Sequence, residues 1–396
     1  METQTYLLEA MQTEILARLP LKTISRFKSV CKTWKSTLES AYFRHLFLSL
    51  HRNSSSSSSS WSLLHGADEL IAFHGCKTWG LPKSPASLIP HPFKRYLCGD
   101  CDYVDSSGGL VLLSDGGDES YCYVGNPVSQ QWVKIPPPPP SDPTGDDADV
   151  FGLVTRLDDD GVVLSFKVIR LVSVQWTNND YLLGVLLYSS ETGIWTSKVV
   201  HCPHQITNMY YINLNGTVYF TCLSEPGVLA AHDFYSESDQ FRVVQLPDYP
   251  DYSKDYKRTL TMSGGFVVYV RSQAKKDETV LKIWRLDNDD DTWQLLWEVS
   301  LQIIGNYAPV AMHPFDIATA YLWNYTILGH QDCFIDESVC KKSVDEIWDP
   351  RSLLDFRVCI WFCPFVMPRW MKPVPRPPQA EMIDTTSLLS YATAIH

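Results

Sequence analysis

Ser107-Gly108-Gly109-Leu110-Val111-Leu112 returns later in the chain as Asn215-Gly216-Thr217-Val218-Tyr219-Phe220, and again as Ser263-Gly264-Gly265-Phe266-Val267-Val268. A polar residue, a glycine and a short apolar run mark a tight turn feeding a strand, because glycine accepts the positive backbone angles that side chains resist. Gly216 follows Gly109 by 107 positions, Gly265 follows Gly216 by 49, and Gly161-Val162-Val163-Leu164 falls 52 after Gly109. The spacing is a period of about fifty residues. A second element keeps step with it. Asn126 leads to Trp132, Ser189 to Trp195 and Asp287 to Trp293, each six positions on, and Asp233 leads to Phe241 eight on. Asn126-Pro127, Glu191-Thr192-Gly193, Ser236 to Asp239 and Asp289 to Asp291 supply turn formers in between, so each reads as a hairpin restarting at a large aromatic.

A unit of this size with several short strands cannot bury both its faces. Neighbouring units must pack face to face, with the positioned aromatic filling the seam, which describes the blades of a β-propeller. Four units are clear between residues 106 and 300. Residues 61–105 and 301–375 add one more each or share a blade closed by both chain ends. Six blades are expected, within a range of about five to seven. A β-sandwich with irregular loops is the competing architecture.

Composition agrees with an all-β body. The 396 residues are 45% apolar and 12% aromatic, with 13 Trp, 20 Tyr, 25 Pro and 20 Gly. Residues 6–50 read differently. Leu8, Met11, Ile15 and Leu19 form one helical stripe, ended by Pro20. Ile24, Phe27, Cys31, Trp34 and Leu38 form another, with Thr23 as its expected N-cap. Some forty-five residues make a small core that needs a partner or the rest of the chain. Residues 1–53 hold eight Lys or Arg against four acids, a balance of +4, which leaves −16 of the chain's −12 for the remainder. The basic segment suits an acidic partner, and the acidic body disfavours nucleic acid. The serine run Ser54 to Ser60 reads as a linker, and Pro136 to Pro140 as an extended loop inside the larger domain. No apolar run has signal-peptide or membrane-spanning length. The eleven scattered cysteines then read as reduced thiols of a cytoplasmic or nuclear protein.

Glu14-Ile15-Leu16-Ala17-Arg18-Leu19-Pro20-Leu21-Lys22-Thr23-Ile24, followed by Arg26-Phe27-Lys28-Ser29-Val30-Cys31-Lys32-Thr33-Trp34, resembles the F-box of plant F-box proteins. One position departs from that pattern: Leu7-Leu8 stands where Leu-Pro is usual. Shorter matches follow. Phe166-Lys167-Val168-Ile169-Arg170, Tyr188-Ser189-Ser190-Glu191-Thr192-Gly193-Ile194-Trp195, Met312-His313-Pro314-Phe315-Asp316 and the Pro-rich stretch Pro368-Arg369-Trp370 to Pro378 are similar to the F-box-associated, kelch-like propeller of the same proteins. The resemblance implies an all-α F-box of about three helices at 1–50, a Ser-rich linker at 51–60, the propeller at 61–380 and a tail at 381–396. It also implies a substrate-recognition subunit of an SCF-type ubiquitin ligase, binding a Skp-type adaptor, and through it a cullin, by the F-box and an unknown target protein by the propeller. The residues it assigns to the adaptor are Leu8, Ile15, Leu16, Leu19, Pro20, Leu21, Ile24, Val30, Cys31 and Trp34.

Nothing in the residues argues for catalysis, a cofactor or a metal. Cys98-Gly99-Asp100-Cys101 is a lone CxxC without a second pair. His201-Cys202-Pro203-His204 lacks a further ligand, and Asp158-Asp159-Asp160 and Asp287 to Asp291 lack calcium-loop spacing and read as solvated turns. Two other readings stand beside the receptor: a scaffold with weak or absent adaptor binding, and a ligand-binding or enzymatic propeller.

Overall fold

The repeated Gly turns do what their composition predicts. Gly108 and Gly109, Asn215 and Gly216, and Gly264 and Gly265 all take positive φ, between 50° and 88°. Two successive positive φ values define the tight hairpin turn whose twist matches that of its strands. In the computed structural model the described residues are 2–51, 61–65, 68–72, 79, 101–115, 121–139, 149–177, 180–222, 227–247, 256–275, 278–287, 290–301, 307–324 and 362–384. The serine run, most of the CxxC motif and residues 140–148 lie outside them.

Four helices come first: α1 (Glu2–Leu16), α2 (Leu21–Phe27), α3 (Lys32–Glu39) and α4 (Ala41–His51). Their boundaries correct the sequence reading, which expected about three. Helix α1 stops at Leu16, before Pro20. Pro20, extended at φ −60° and ψ 145°, precedes α2, so Thr23 lies inside that helix rather than capping it. The second stripe is broken at Cys31, whose extended backbone (φ −157°) starts α3 and whose Sγ accepts the Trp34 amide at 3.4 Å. Ser40 Oγ accepts the Phe43 amide at 3.2 Å in the first turn of α4.

The body is made of antiparallel sheets. Strands β1 (Trp61–His65) and β2 (Asp68–Ala72) pair with each other. Next come β3 (Cys101–Ser107), β4 (Leu110–Asp115), β5 (Cys122–Asn126) and β6 (Gln131–Ile135) as one sheet, then β7 (Asp149–Leu157), β8 (Val163–Trp176), β9 (Tyr181–Ser189) and β10 (Trp195–Cys202) as another. Two more four-stranded sheets repeat the plan. They are β11 (Ile206–Leu214), β12 (Thr217–Cys222), β13 (Val228–Asp233) and β14 (Arg242–Gln245), then β15 (Tyr256–Ser263), β16 (Phe266–Ala274), β17 (Thr279–Leu286) and β18 (Trp293–Leu301). Strands β19 (Tyr307–Met312) and β20 (Ala320–Asn324) pair together. Late in the chain, β21 (Phe362–Val366) joins β1, and β22 (Glu381–Asp384) pairs with β6. The start of the expected tail is thus a strand of the β3–β6 sheet. One edge strand of each sheet lies beside that of the next: β3 against β7, β7 against β11, β11 against β15, β15 against β19, β19 against β21, and β21 against β3.

The inner strands of these sheets are buried on both faces, and alternate residues serve different seams. Val267 and Tyr269 of β16 pack toward the β11–β14 sheet, whereas Val268 and Val270 pack toward β19 and β20. The hairpin aromatics sit at the seams as the six-residue spacing implied. Trp195 packs on Tyr188 with ring centroids 5.4 Å apart and donates to the Pro136 carbonyl at 2.9 Å. Trp293 packs on Tyr269 and donates to the Gln245 carbonyl at 2.7 Å. A Cβ on Gly125 would lie 2.3 Å from the Trp132 ring, so that glycine makes room for its indole. The two ends of the body meet where the Trp61 indole N–H donates to His313 Nε2 at 3.1 Å.

Candidate functional site

The helical head divides into a covered side and an open side. Leu16, Leu21 and Ile24 are buried and share one core with Leu38, Phe43 and Phe47. That core continues into the body through Trp79, Val111, Leu113, Trp132, Phe365, Met367 and Trp370. Trp370 lies against both Phe43 and Phe47, with centroids 6.2 and 5.2 Å away. Backbone and indole bonds reinforce the joint: the Lys22 amide donates to the Trp79 carbonyl at 3.3 Å, and Trp79 Nε1 donates to the Pro368 carbonyl at 2.7 Å.

Charge closes the same joint. Arg44 reaches Asp158 at 3.2 Å and Asp160 at 2.6 Å, and His45 Nδ1 stands 3.2 Å from Asp160. Asp158 and Asp160 are therefore not the solvated turn expected of Asp158-Asp159-Asp160. They are the body's contribution to the head contact, and Asp158 also holds its own turn by accepting the Asp160 and Val162 amides. Local sequence gave no sign of this pairing, because Arg44 and Asp158 meet only through the fold.

The adaptor residues implied by the F-box resemblance separate into three groups. Leu16, Leu21 and Ile24 belong to the shared core, where a partner reaches them only if the head is opened. Helical spacing cannot say which neighbour buries a stripe, and in this chain the body covers these three. Ile15 and Val30 are 61% and 60% exposed, Cys31 is exposed, and Leu19, Pro20 and Trp34 are half-buried. Met11, which the resemblance did not assign, is also exposed at 57%. The Leu8 side chain lies outside the described residues. Trp34 is steadied by Phe27, ring centroids 5.3 Å apart. Exposed aliphatic side chains beside a half-buried Pro and Trp form the kind of surface a protein partner covers.

Among the described residues the body holds one buried carboxylate, where the strands β3, β7 and β11 meet. Asp105 of β3 accepts the Ser106 amide at 2.7 Å, the Leu153 amide of β7 at 2.9 Å and Asn213 Nδ2 of β11 at 3.1 Å. The Tyr211 hydroxyl joins them. Burial pushes the Asp105 carboxyl up to about 7, against the pull of these donors. Ser107 Oγ bridges Thr155 Oγ1 at 2.8 Å and Asn213 Oδ1 at 3.0 Å. A Cβ on Gly152 would lie 3.1 Å from the Tyr211 hydroxyl and 3.2 Å from Asp105, so the neighbouring glycine lets the strands close on the cluster. Every donor here is used within the cluster, which suits a clasp between sheets. Elsewhere, Cys202 of the His201-Cys202-Pro203-His204 stretch is buried, and burial raises its thiol to about 11, far from a metal-binding thiolate. Among the described residues, no three His, Cys, Asp or Glu side chains stand together as a metal site requires. No described helix is long and apolar enough to cross a membrane.

Known proteins share this arrangement. Residues 9–46 match the F-box domain, and residues 59–376 match the family described as F-box protein At3g26010-like, beta-propeller. F-box protein At3g26010 of Arabidopsis thaliana is 50% identical over 100% of this chain and 97% of its own length. Putative F-box/kelch-repeat protein At4g22430 of the same plant is 45% identical over 98% of this chain and 97% of its own. F-box protein At1g49990, also from Arabidopsis thaliana, is 38% identical over 93% and 97%. With a four-helix head on a body of antiparallel sheets and both parts matched by family, the chain belongs to the F-box proteins that carry an At3g26010-like β-propeller.

Proposed function

We propose that the protein is the substrate-recognition subunit of an SCF-type ubiquitin ligase. The open side of the head binds a Skp-type adaptor and through it a cullin, while the propeller binds a target protein. The chain then supplies no catalytic group. It acts by holding a target lysine near the charged conjugating enzyme, an effect of proximity. The observation that carries this reading is the exposure of Ile15 and Val30 on a head whose opposite side is sealed against the body. The +4 balance of residues 1–53 favours an acidic partner at that surface. Among the described residues, six sheets whose edge strands follow one another from β3 round to β21 support a count of six blades. Free thiols at Cys31 and Cys202 suit a protein of the cytoplasm or nucleus.

The test is direct adaptor binding by the full-length chain. Ile15→Asp combined with Val30→Asp places two charges on the open side and is expected to abolish binding while the melting temperature stays put. Wild-type binding by a folded double variant would overturn the assignment of this surface.

A further inference from the structure

The outer edge of one sheet is already occupied by an extended segment. β22 lies antiparallel along β6 as a fifth strand, with Met382 opposite Val133 and Ile383 opposite Trp132. Neighbouring residues of a strand point to opposite faces. Met382 accordingly packs into the core that holds Val133, and Ile383 into the core that holds Trp132. Two adjacent apolar residues thus finish both faces of that edge.

The matching edges of the next two sheets are used or short. On β10 the His201 amide donates to the Asp239 carbonyl at 2.7 Å, and the His201 carbonyl accepts the Phe241 amide at 2.9 Å. β14 has four residues, and the Gln245 carbonyl at its end accepts Trp293 Nε1. β18 is different. Six of its nine residues are apolar (Trp293, Leu295, Leu296, Trp297, Val299 and Leu301), and none is buried. It pairs with β17 on one side and, among the described residues, with no strand on the other.

A register shift sets the pattern of that edge. Leu295 stands opposite Trp284 and Trp297 opposite Ile283. Trp284 belongs to the core shared with the β11–β14 sheet, and Ile283 to the core shared with β19 and β20. The bulge at Leu296 therefore puts one apolar side chain on each face, Leu295 at 46% exposure and Trp297 at 42%. Val133 and Trp132 offer the same two-faced arrangement beneath β22. Of the devices that guard open edges, lysine and proline are absent from β18, and its bulge leaves apolar side chains in solvent. Its one charge, Glu298, is held by Lys282 at 2.9 Å. An apolar edge with its charge already paired suits an uncharged segment.

We propose that the outer edge of β18 takes an extended segment of the target protein as a fifth strand. The segment runs antiparallel and carries two adjacent apolar residues, one for the Leu295 face and one for the Trp297 face. Main-chain hydrogen bonds supply affinity, and the two side chains supply selectivity. The inference rests on the receptor reading and names how its target is held. No residue of the β15–β18 sheet belongs to the core shared with the head, so adaptor and target can be bound together.

A short fluorescein-labelled peptide with an Ile-Ile pair between threonines, titrated into the full-length chain and read by anisotropy, tests it. The same peptide with every amide nitrogen methylated keeps its side chains and loses its donors. The plain peptide is expected to bind and the methylated one not. Leu295→Lys combined with Trp297→Lys is expected to weaken binding roughly tenfold or more with the melting temperature unchanged, and the milder Trp297→Thr several-fold. Val199→Lys, at a residue 54% exposed on β10, is expected to leave binding unchanged. Sedimentation of the wild-type chain is expected to show a monomer. Equal binding to the double variant and the wild type, equal binding of the methylated peptide, or no binding at all would each overturn the site. A dimer that the double variant breaks would also overturn it, by giving the edge to a second copy of this chain. Adaptor pull-down on the same proteins keeps the two ideas apart. A wild-type chain that takes adaptor but refuses peptide refutes the edge alone, and one that takes peptide but refuses adaptor refutes the receptor reading alone.

Discussion

Head helices close their core with residues from the far end of the chain, while each sheet of the body closes its core with the next sheet along. Phe43 and Phe47 meet Trp370, whereas Val268 and Val270 meet strands that follow within about fifty residues. The head is too small to bury its own stripe, so its stability is tied to the body. The sheets are individually thin but bury their inner strands against neighbouring sheets. The contrast teaches that the head is half-borrowed: one side is finished by the body and the other is left exposed.

The hardest way to break the comparison is to remove the borrowed residue. Trp370→Ala should cost about 3–5 kcal/mol, the usual range for deleting a buried large aromatic, measured by urea unfolding. Limited proteolysis should then cut the head first. If body and head unfold unchanged, the head does not depend on the body.

The clasp tests the body side. The folded-state pKa of Asp105 is raised from 3.8 to about 7. The folded chain therefore keeps a proton that the unfolded chain releases. The stabilisation from this group is full below about pH 4 and is lost as pH rises through about 7. Asp105→Asn should flatten the pH dependence of the melting temperature across that window, removing a slope of at most about 1.4 kcal/mol per pH unit. An unchanged slope would show that the carboxyl is already ionised by its donors.

Smaller effects sharpen the picture. Arg44→Ala leaves Asp158 and Asp160 without their cation, at a joint where both partners stay partly solvated. A loss of about 1–2 kcal/mol is expected, recovered only in part by Arg44→Lys, because lysine cannot span two carboxylates as the guanidinium does. Ile15→Asp with Val30→Asp should change stability by less than about 0.5 kcal/mol, as expected of side chains the fold leaves open. A large destabilisation there would mean that the open side is internal after all.

Much of this was legible in local sequence. The Gly turns and the six-residue hairpins are set by backbone conformation within a few residues, and they reappear at Gly108-Gly109, Trp195 and Trp293. The F-box motif located the head but not its split into α2 and α3, because Cys31 continues the apolar stripe while its extended backbone breaks the helix. The division of the head into a sealed and an open side was legible only in part. Ile15 and Leu16 are neighbours in sequence and equally apolar, yet one is 61% exposed and the other 5%.

By itself, then, the sequence determined the kinds of element, their order and the seams between sheets, since turns, strands and hairpin aromatics answer to neighbours a few positions away. Tertiary structure alone decided which side of the head is sealed, that Asp158 and Asp160 belong to it, and that three strands converge on Asp105. Those outcomes rest on contacts such as Phe43 with Trp370 and Asp105 with Asn213, between residues more than 100 positions apart. Burial and pairing at such range follow from where the folded chain brings groups together, which no local pattern encodes.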